Sequence, residues 1–120
     1  MKRILVVDDD SELRQVLAQT LVQAGYEVAT AANGRQASAL YRSQTPDIVI
    51  TDMYIPDKDG LEALMELRGD FPEIKVIAIS GAVSKDNVLQ VASILGAACT
   101  LVKPFEPAEL LRVVAQLAES

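Results

Sequence analysis

Two unbroken aliphatic runs, Ile4-Leu5-Val6-Val7 and Ile48-Val49-Ile50-Thr51, each end in carboxylates: Asp8-Asp9-Asp10 after the first and Asp52 after the second. A continuous apolar run of this length reads as a strand buried on both faces of a parallel sheet. Open sheets of that kind bind ligands in the crevice beyond the carboxyl ends of their strands. With the two strands as neighbours, three or four carboxylates converge on one edge. Like charges brought that close raise one another's pKa, so a cation or a reaction belongs there.

The rest of the chain continues the alternation of strand and helix. Strand one covers Arg3 to Val7, and Asp10 or Ser11 caps a first helix with Leu13, Val16, Leu17, Thr20, Leu21 and Ala24 at helical spacing. Gly25 suits the left-handed position past its end. Strand two runs from Tyr26 to Ala31, and Asn33-Gly34 opens a helix carrying Ala37, Leu40 and Tyr41. Pro46 precedes strand three, Ile48 to Thr51, and Met53 to Asp59 reads as a loop closed by Gly60. A third helix carries Leu61, Leu64 and Met65; strand four is Lys75 to Ile79; Ser84 caps a fourth helix ended by Gly96. Strand five, Ala98 to Val102, stops at Lys103-Pro104, and a last helix runs from Pro107 to about Ala118. Five strands spaced by helices imply right-handed βαβ units, a parallel sheet and one domain over residues 1–120.

Composition narrows the chemistry. With half of its 120 residues apolar and neither Trp nor many other aromatics, the core has to be aliphatic. A net charge of −6 with scattered basic residues argues against direct nucleic-acid contact. The absence of His removes Ser-His-Asp catalysis and His-based zinc sites. Cys99 is alone in an apolar stretch, where a buried, inert thiol in a reducing compartment is expected. The apolar run after Met1-Lys2-Arg3 is too short for a signal peptide or a membrane span, so a cytoplasmic protein is expected.

Every strand but the second hands a polar group to one edge: Asp8-Asp9-Asp10, Asp52, Ser80 and Lys103. Carboxylates and carbonyls are the hard oxygen ligands that suit Mg²⁺. A Lys ammonium and a Ser hydroxyl beside them complete a kit for phosphoryl transfer, and Asp is a known covalent acceptor. Singly, each residue has a plainer use. An Asp after a strand is more often a helix cap, which is the role expected of Asp10; Asp57 and Asp59 suit a turn; a Lys before Pro is usually surface. Four such groups in step with four strand ends reverse that balance.

At this point the chain resembles the receiver domains of bacterial response regulators over its whole length. The resemblance rests on Asp8-Asp9, Asp52, the loop Asp52-Met53-Tyr54-Ile55-Pro56-Asp57-Lys58-Asp59-Gly60, Ser80-Gly81 and Lys103-Pro104-Phe105. It implies a flavodoxin-like, doubly wound, five-stranded parallel sheet of order 2-1-3-4-5 with five helices. It further implies Mg²⁺ held by Asp9, Asp52 and the backbone carbonyl of Tyr54, with Asp8 acting through water. Asp52 would take a phosphoryl group from a histidine kinase or histidine phosphotransfer protein, aided by Ser80 and Lys103. The domain would be no enzyme beyond its own phosphorylation and dephosphorylation. A cis bond before Pro104 is also implied.

Three departures and two rival readings qualify the resemblance. Thr100 stands where the family usually carries an aromatic ring, so ring rotation cannot report phosphorylation here. Ile55 replaces a common Met, and neither Tyr54 nor Ala82 offers a group to orient a hydrolytic water, which predicts slow autodephosphorylation. Apolar surplus at Leu89, Ile94 and Leu110 or Val113 suits a downstream target or a homodimer, and the resemblance implies the face of the fourth helix, fifth strand and last helix for it. One rival is a phosphatase resembling the haloacid dehalogenase family, with Asp8 as nucleophile and Asp10 as acid/base. It leaves Asp52 without a task. The other is a receiver-fold binding module that is never phosphorylated.

Overall fold

The aliphatic runs form the strands they predict, and their burial explains why they need no polar face. A computed structural model of the chain describes residues 2–52, 54–55, 58–59, 69–70, 74–80, 99–102 and 105–119. Strands β1 (Arg3–Val7), β2 (Glu27–Ala31), β3 (Ile48–Asp52), β6 (Lys75–Ser80) and β7 (Cys99–Val102) make one parallel sheet, in the order β2-β1-β3-β6-β7. Between β3 and β6, β4 (Tyr54–Ile55) pairs antiparallel with β5 (Lys58–Asp59). The described helices are α1 (Ser11–Gln23), α2 (Gly34–Gln44) and α3 (Pro107–Glu119). None of them is long and apolar enough to cross a membrane.

Side chains alternate across a strand, so each run divides between two cores. Ile4, Val6, Ile48, Ile50, Ile77 and Ile79 pack with Leu17 and Leu21 of α1 and with Leu110, Val113 and Val114 of α3. Leu5, Val7, Val49, Val76 and Ala78 fall on the opposite side, where α2 lies against β1 and β2 and buries Ala37 and Tyr41. The strands are covered on both faces, which is the condition of an all-parallel sheet.

The helix ends follow their local chemistry. Asp10 caps α1, its Oδ1 accepting from Glu12 N (3.0 Å) and Leu13 N (3.2 Å). At the other end Gly25 takes φ +99°, its N–H reaching Val22 O while Tyr26 N–H reaches Leu21 O. That pair of bonds is a Schellman cap, and Tyr26 packs on the core as such caps favour. Asn33 caps α2 through Gln36 N (2.9 Å), and Gln36 Oε1 accepts from Ala32 N (2.8 Å). α2 ends less comfortably, with the β-branched Thr45 left-handed at φ 47°.

Three expectations need correction. The stretch Met53 to Asp59 holds the short pair β4-β5 rather than only loop, since Tyr54 and Ile55 can face Asp59 and Lys58 across two intervening residues. Leu110 and Val113 are core residues (0% and 6% exposed), not surplus for a partner. α3 is covered on two sides, by the sheet and by α1, so its wide apolar face is used up internally. Cys99 is half-buried on the edge strand β7 rather than enclosed. The expected third and fourth helices, with Leu61, Leu64, Met65, Ser84, Leu89, Ile94 and Gly96, lie outside the described residues, apart from helical Gly69 and Asp70.

Candidate functional site

The sheet register decides which side chains can meet. β1 and β3 pair Val7 with Thr51, and β3 and β6 pair Asp52 with Ile79. Continuing the first register by one residue sets Asp8 level with Asp52 on the neighbouring strand, and adjacent strands lie about 4.8 Å apart. β6 and β7 pair Ser80 with Val102, so Ser80 ends its strand one row beyond Asp52. The backbones that carry Asp8, Asp52 and Ser80 therefore end side by side at one edge. Lys103 and the bond before Pro104 lie outside the described residues, as do Ala82 and the side chains of Asp52, Tyr54, Ser80 and Thr100.

The three consecutive aspartates divide their work. Asp8 is buried (0% exposed), with its N–H on Ala31 O (3.1 Å) and its Oδ1 accepting from Asp10 N (2.9 Å). Burying a carboxylate is costly unless its oxygens are engaged, and the Asp10 amide engages one of them. Asp9 is exposed at the mouth of the edge. Asp10 is the α1 cap, as expected. An enclosed Asp8 and an Asp10 committed to two amides do not make a nucleophile and acid/base pair, which removes the haloacid dehalogenase-like reading.

The side chain that sequence reasoning passed over is Arg14. Its Nη1 donates to the Asp8 carbonyl at 2.8 Å, tying α1 back to the loop it follows. Its only mark in the sequence is weak, a cation at the end of a helix's first turn where the dipole mildly disfavours one.

The described side chains at this edge offer carboxylate oxygens, from Asp8 and Asp9 on the loop after β1, and among the described residues no three His, Cys, Asp or Glu gather into a metal site. No imidazole exists in the chain, and its one thiol begins β7, at the opposite end of that strand from this edge. An all-oxygen donor set fits a hard divalent cation such as Mg²⁺.

A parallel sheet with acidic residues at this edge is the architecture of a phospho-signalling receiver. Residues 4–115 match the family described as response regulator receiver domain, and the chain belongs to that family. The chemotaxis protein CheY of Thermotoga maritima is 34% identical over 119 residues, covering 98% of each chain. The probable transcriptional regulator ycf27 of Cyanophora paradoxa is 39% identical over 91% of this chain, which spans only 45% of that regulator. Among solved structures, the receiver domain of NtrX from Brucella abortus superposes with a TM-score of 0.93 at 32% identity, covering 98% of both chains. The protein is thus a receiver domain of two-component signalling, a signalling domain rather than a conventional enzyme. Members of this family interact with histidine kinases and downstream effector domains, and they generally use Mg²⁺.

Proposed function

We propose that Asp52 accepts a phosphoryl group from the phosphohistidine of a histidine kinase or histidine phosphotransfer protein. The observation that carries this reading is the β1–β3 register, which brings the Asp8-Asp9 loop level with the end of β3. Asp9, Asp52 and the Tyr54 carbonyl would hold Mg²⁺, with Asp8 acting through water; bound there, the ion would neutralise charge on the transferring group. A carboxylate oxygen of Asp52 forms the new bond to phosphorus as the N–P bond of the donor breaks. The leaving imidazole keeps that electron pair and takes up a proton. Ser80 and Lys103 hold the remaining phosphoryl oxygens, the Lys supplying a fixed positive charge where negative charge gathers.

In this reading the chain is one receiver domain over residues 1–120, flavodoxin-like, with five helices about the parallel sheet. It acts in the cytoplasm and catalyses only its own phosphorylation and dephosphorylation. The switched surface is the face of the fourth helix, fifth strand and last helix, offered to a downstream protein or a second copy, without direct nucleic-acid contact. With Thr100 in place of a ring, coupling to that surface runs through backbone and hydroxyl rather than ring rotation. Tyr54 and Ala82 leave the phosphoryl group long-lived.

Incubation with Mg²⁺ and acetyl phosphate, read by intact mass, tests the assignment. The expected result is one added phosphoryl group, lost in Asp52→Ala and gained more slowly in Asp8→Asn. No adduct under any condition would make the chain a binding module; an adduct surviving Asp52→Ala would move the acceptor elsewhere. Decay of the labelled protein within seconds would overturn the slow-hydrolysis reading.

A further inference from the structure

We infer that Arg14 is a positioning residue for the metal-binding carboxylate Asp9, an inference that rests on the Mg²⁺ site proposed above. Arg14 Nη1 meets the Asp8 carbonyl at 2.8 Å. That carbonyl belongs to the peptide unit joining Asp8 to Asp9, and a peptide unit is planar. Holding its oxygen therefore fixes the plane from which the Asp9 side chain departs. The other side of the loop is already held: Asp8 N–H is on Ala31 O, Asp10 N–H is on Asp8 Oδ1, and Asp10 caps α1.

Asp9 itself is exposed and forms no salt bridge with any described side chain, so among the described residues it is the backbone that sets its direction. Arg14 is the fourth residue of α1, and its own N–H is on Asp10 O (2.9 Å). One residue thus closes the loop twice, by its amide and by its guanidinium.

A cation near a metal site also repels the metal, so the two effects of Arg14 have opposite signs and an experiment separates them. Mg²⁺ is titrated into the full chain by calorimetry and followed at the Asp9 amide by NMR, with thermal midpoints in parallel. Arg14→Met keeps the apolar stem and removes donors and charge; it is expected to weaken Mg²⁺ binding about 10-fold, the usual scale for groups that orient metal ligands. Arg14→Lys, which keeps one donor and the charge, is expected to recover part of that loss. The Asp9 amide resonance is expected to move in Mg²⁺-free Arg14→Met.

Unchanged or tighter Mg²⁺ binding in Arg14→Met, with or without a lower thermal midpoint, would overturn the inference and leave the site reading standing. Absence of Mg²⁺ binding in the unmodified chain, or undiminished binding in Asp9→Asn, would instead overturn the site reading and the inference with it. If Arg14→Met does not fold, Arg14→Gln against Arg14→Lys makes the same comparison.

Discussion

At the amino-terminal end of the sheet, Arg3 spans Glu27 (3.2 Å) and the Gln44 carbonyl (2.6 Å), and its own amide donates to Asp47 (2.9 Å). Lys75 donates to the Leu117 carbonyl there at 2.7 Å. At the carboxyl end, Asp8 and Asp10 accept from backbone amides of their own loop and first turn, and Asp9 faces solvent. Both edges belong to the same strands, yet one meets Arg3, Asp47 and Lys75 with partners from other elements and the other gathers like charges. The first edge serves the fold. The second keeps an exposed carboxylate, Asp9, between two that are bonded to amides, the pattern expected where a site is held at some cost in stability.

The core between the two edges carries the largest expected effect. Leu110→Ala empties core common to both edges and is expected to cost about 2–5 kcal/mol in urea unfolding. A loss below about 1 kcal/mol would mean that Leu110 is surface after all. Arg3→Ala removes a half-exposed ion pair and a charge-assisted bond at the stabilising edge. It is expected to cost about 1–2 kcal/mol while phosphoryl uptake from acetyl phosphate keeps its rate; a parallel fall in rate would show that the two edges are not separable.

Smaller effects sharpen the picture. Asp10→Ala strips the α1 cap and is expected to cost about 1 kcal/mol, with Asp10→Ser nearly neutral, by thermal melting. Asp9→Asn removes the exposed one of three consecutive carboxylates, so in EDTA it is expected to raise the thermal midpoint slightly. A destabilised Asp9→Asn would deny that the carboxyl edge is strained by its charge. Thr45→Gly, at the left-handed end of α2 on the amino-terminal side, is expected to stabilise by about 0.5 kcal/mol. No gain there would mean that the strain at Thr45 is relieved by its surroundings.

Much of this contrast was legible before any coordinates. Unbroken runs such as Ile4 to Val7 and Ile48 to Ile50 announce parallel strands because both faces must be apolar. Asp10, Gly25 and Asn33 mark helix ends because their chemistry is local and complete within a turn. The same locality explains the misses. β4 and β5 are two residues each and carry no period to detect. Leu110 and Val113 read as surplus because nothing in their own helix says that α1 covers its flank. Arg14 escapes because its partner is six residues back, across a cap, and the contact exists only once strand and helix are docked. Thr45 precedes a proline, which disfavours a right-handed helical conformation there but does not by itself announce a left-handed one.

The chain of bonds from Asp8 to Asp10 to Glu12 and Leu13 leaves no slack between β1 and α1. One residue inserted between Asp9 and Asp10 would part the Asp10 amide from Asp8 Oδ1 and shift the start of α1, and with it Leu17 and Leu21, against the sheet. The length of this connection is therefore locked by the core, not by the chemistry at its tip. Of the three loop side chains only Asp9 is outside these bonds, and an insertion or deletion would unseat the helix before it altered the site.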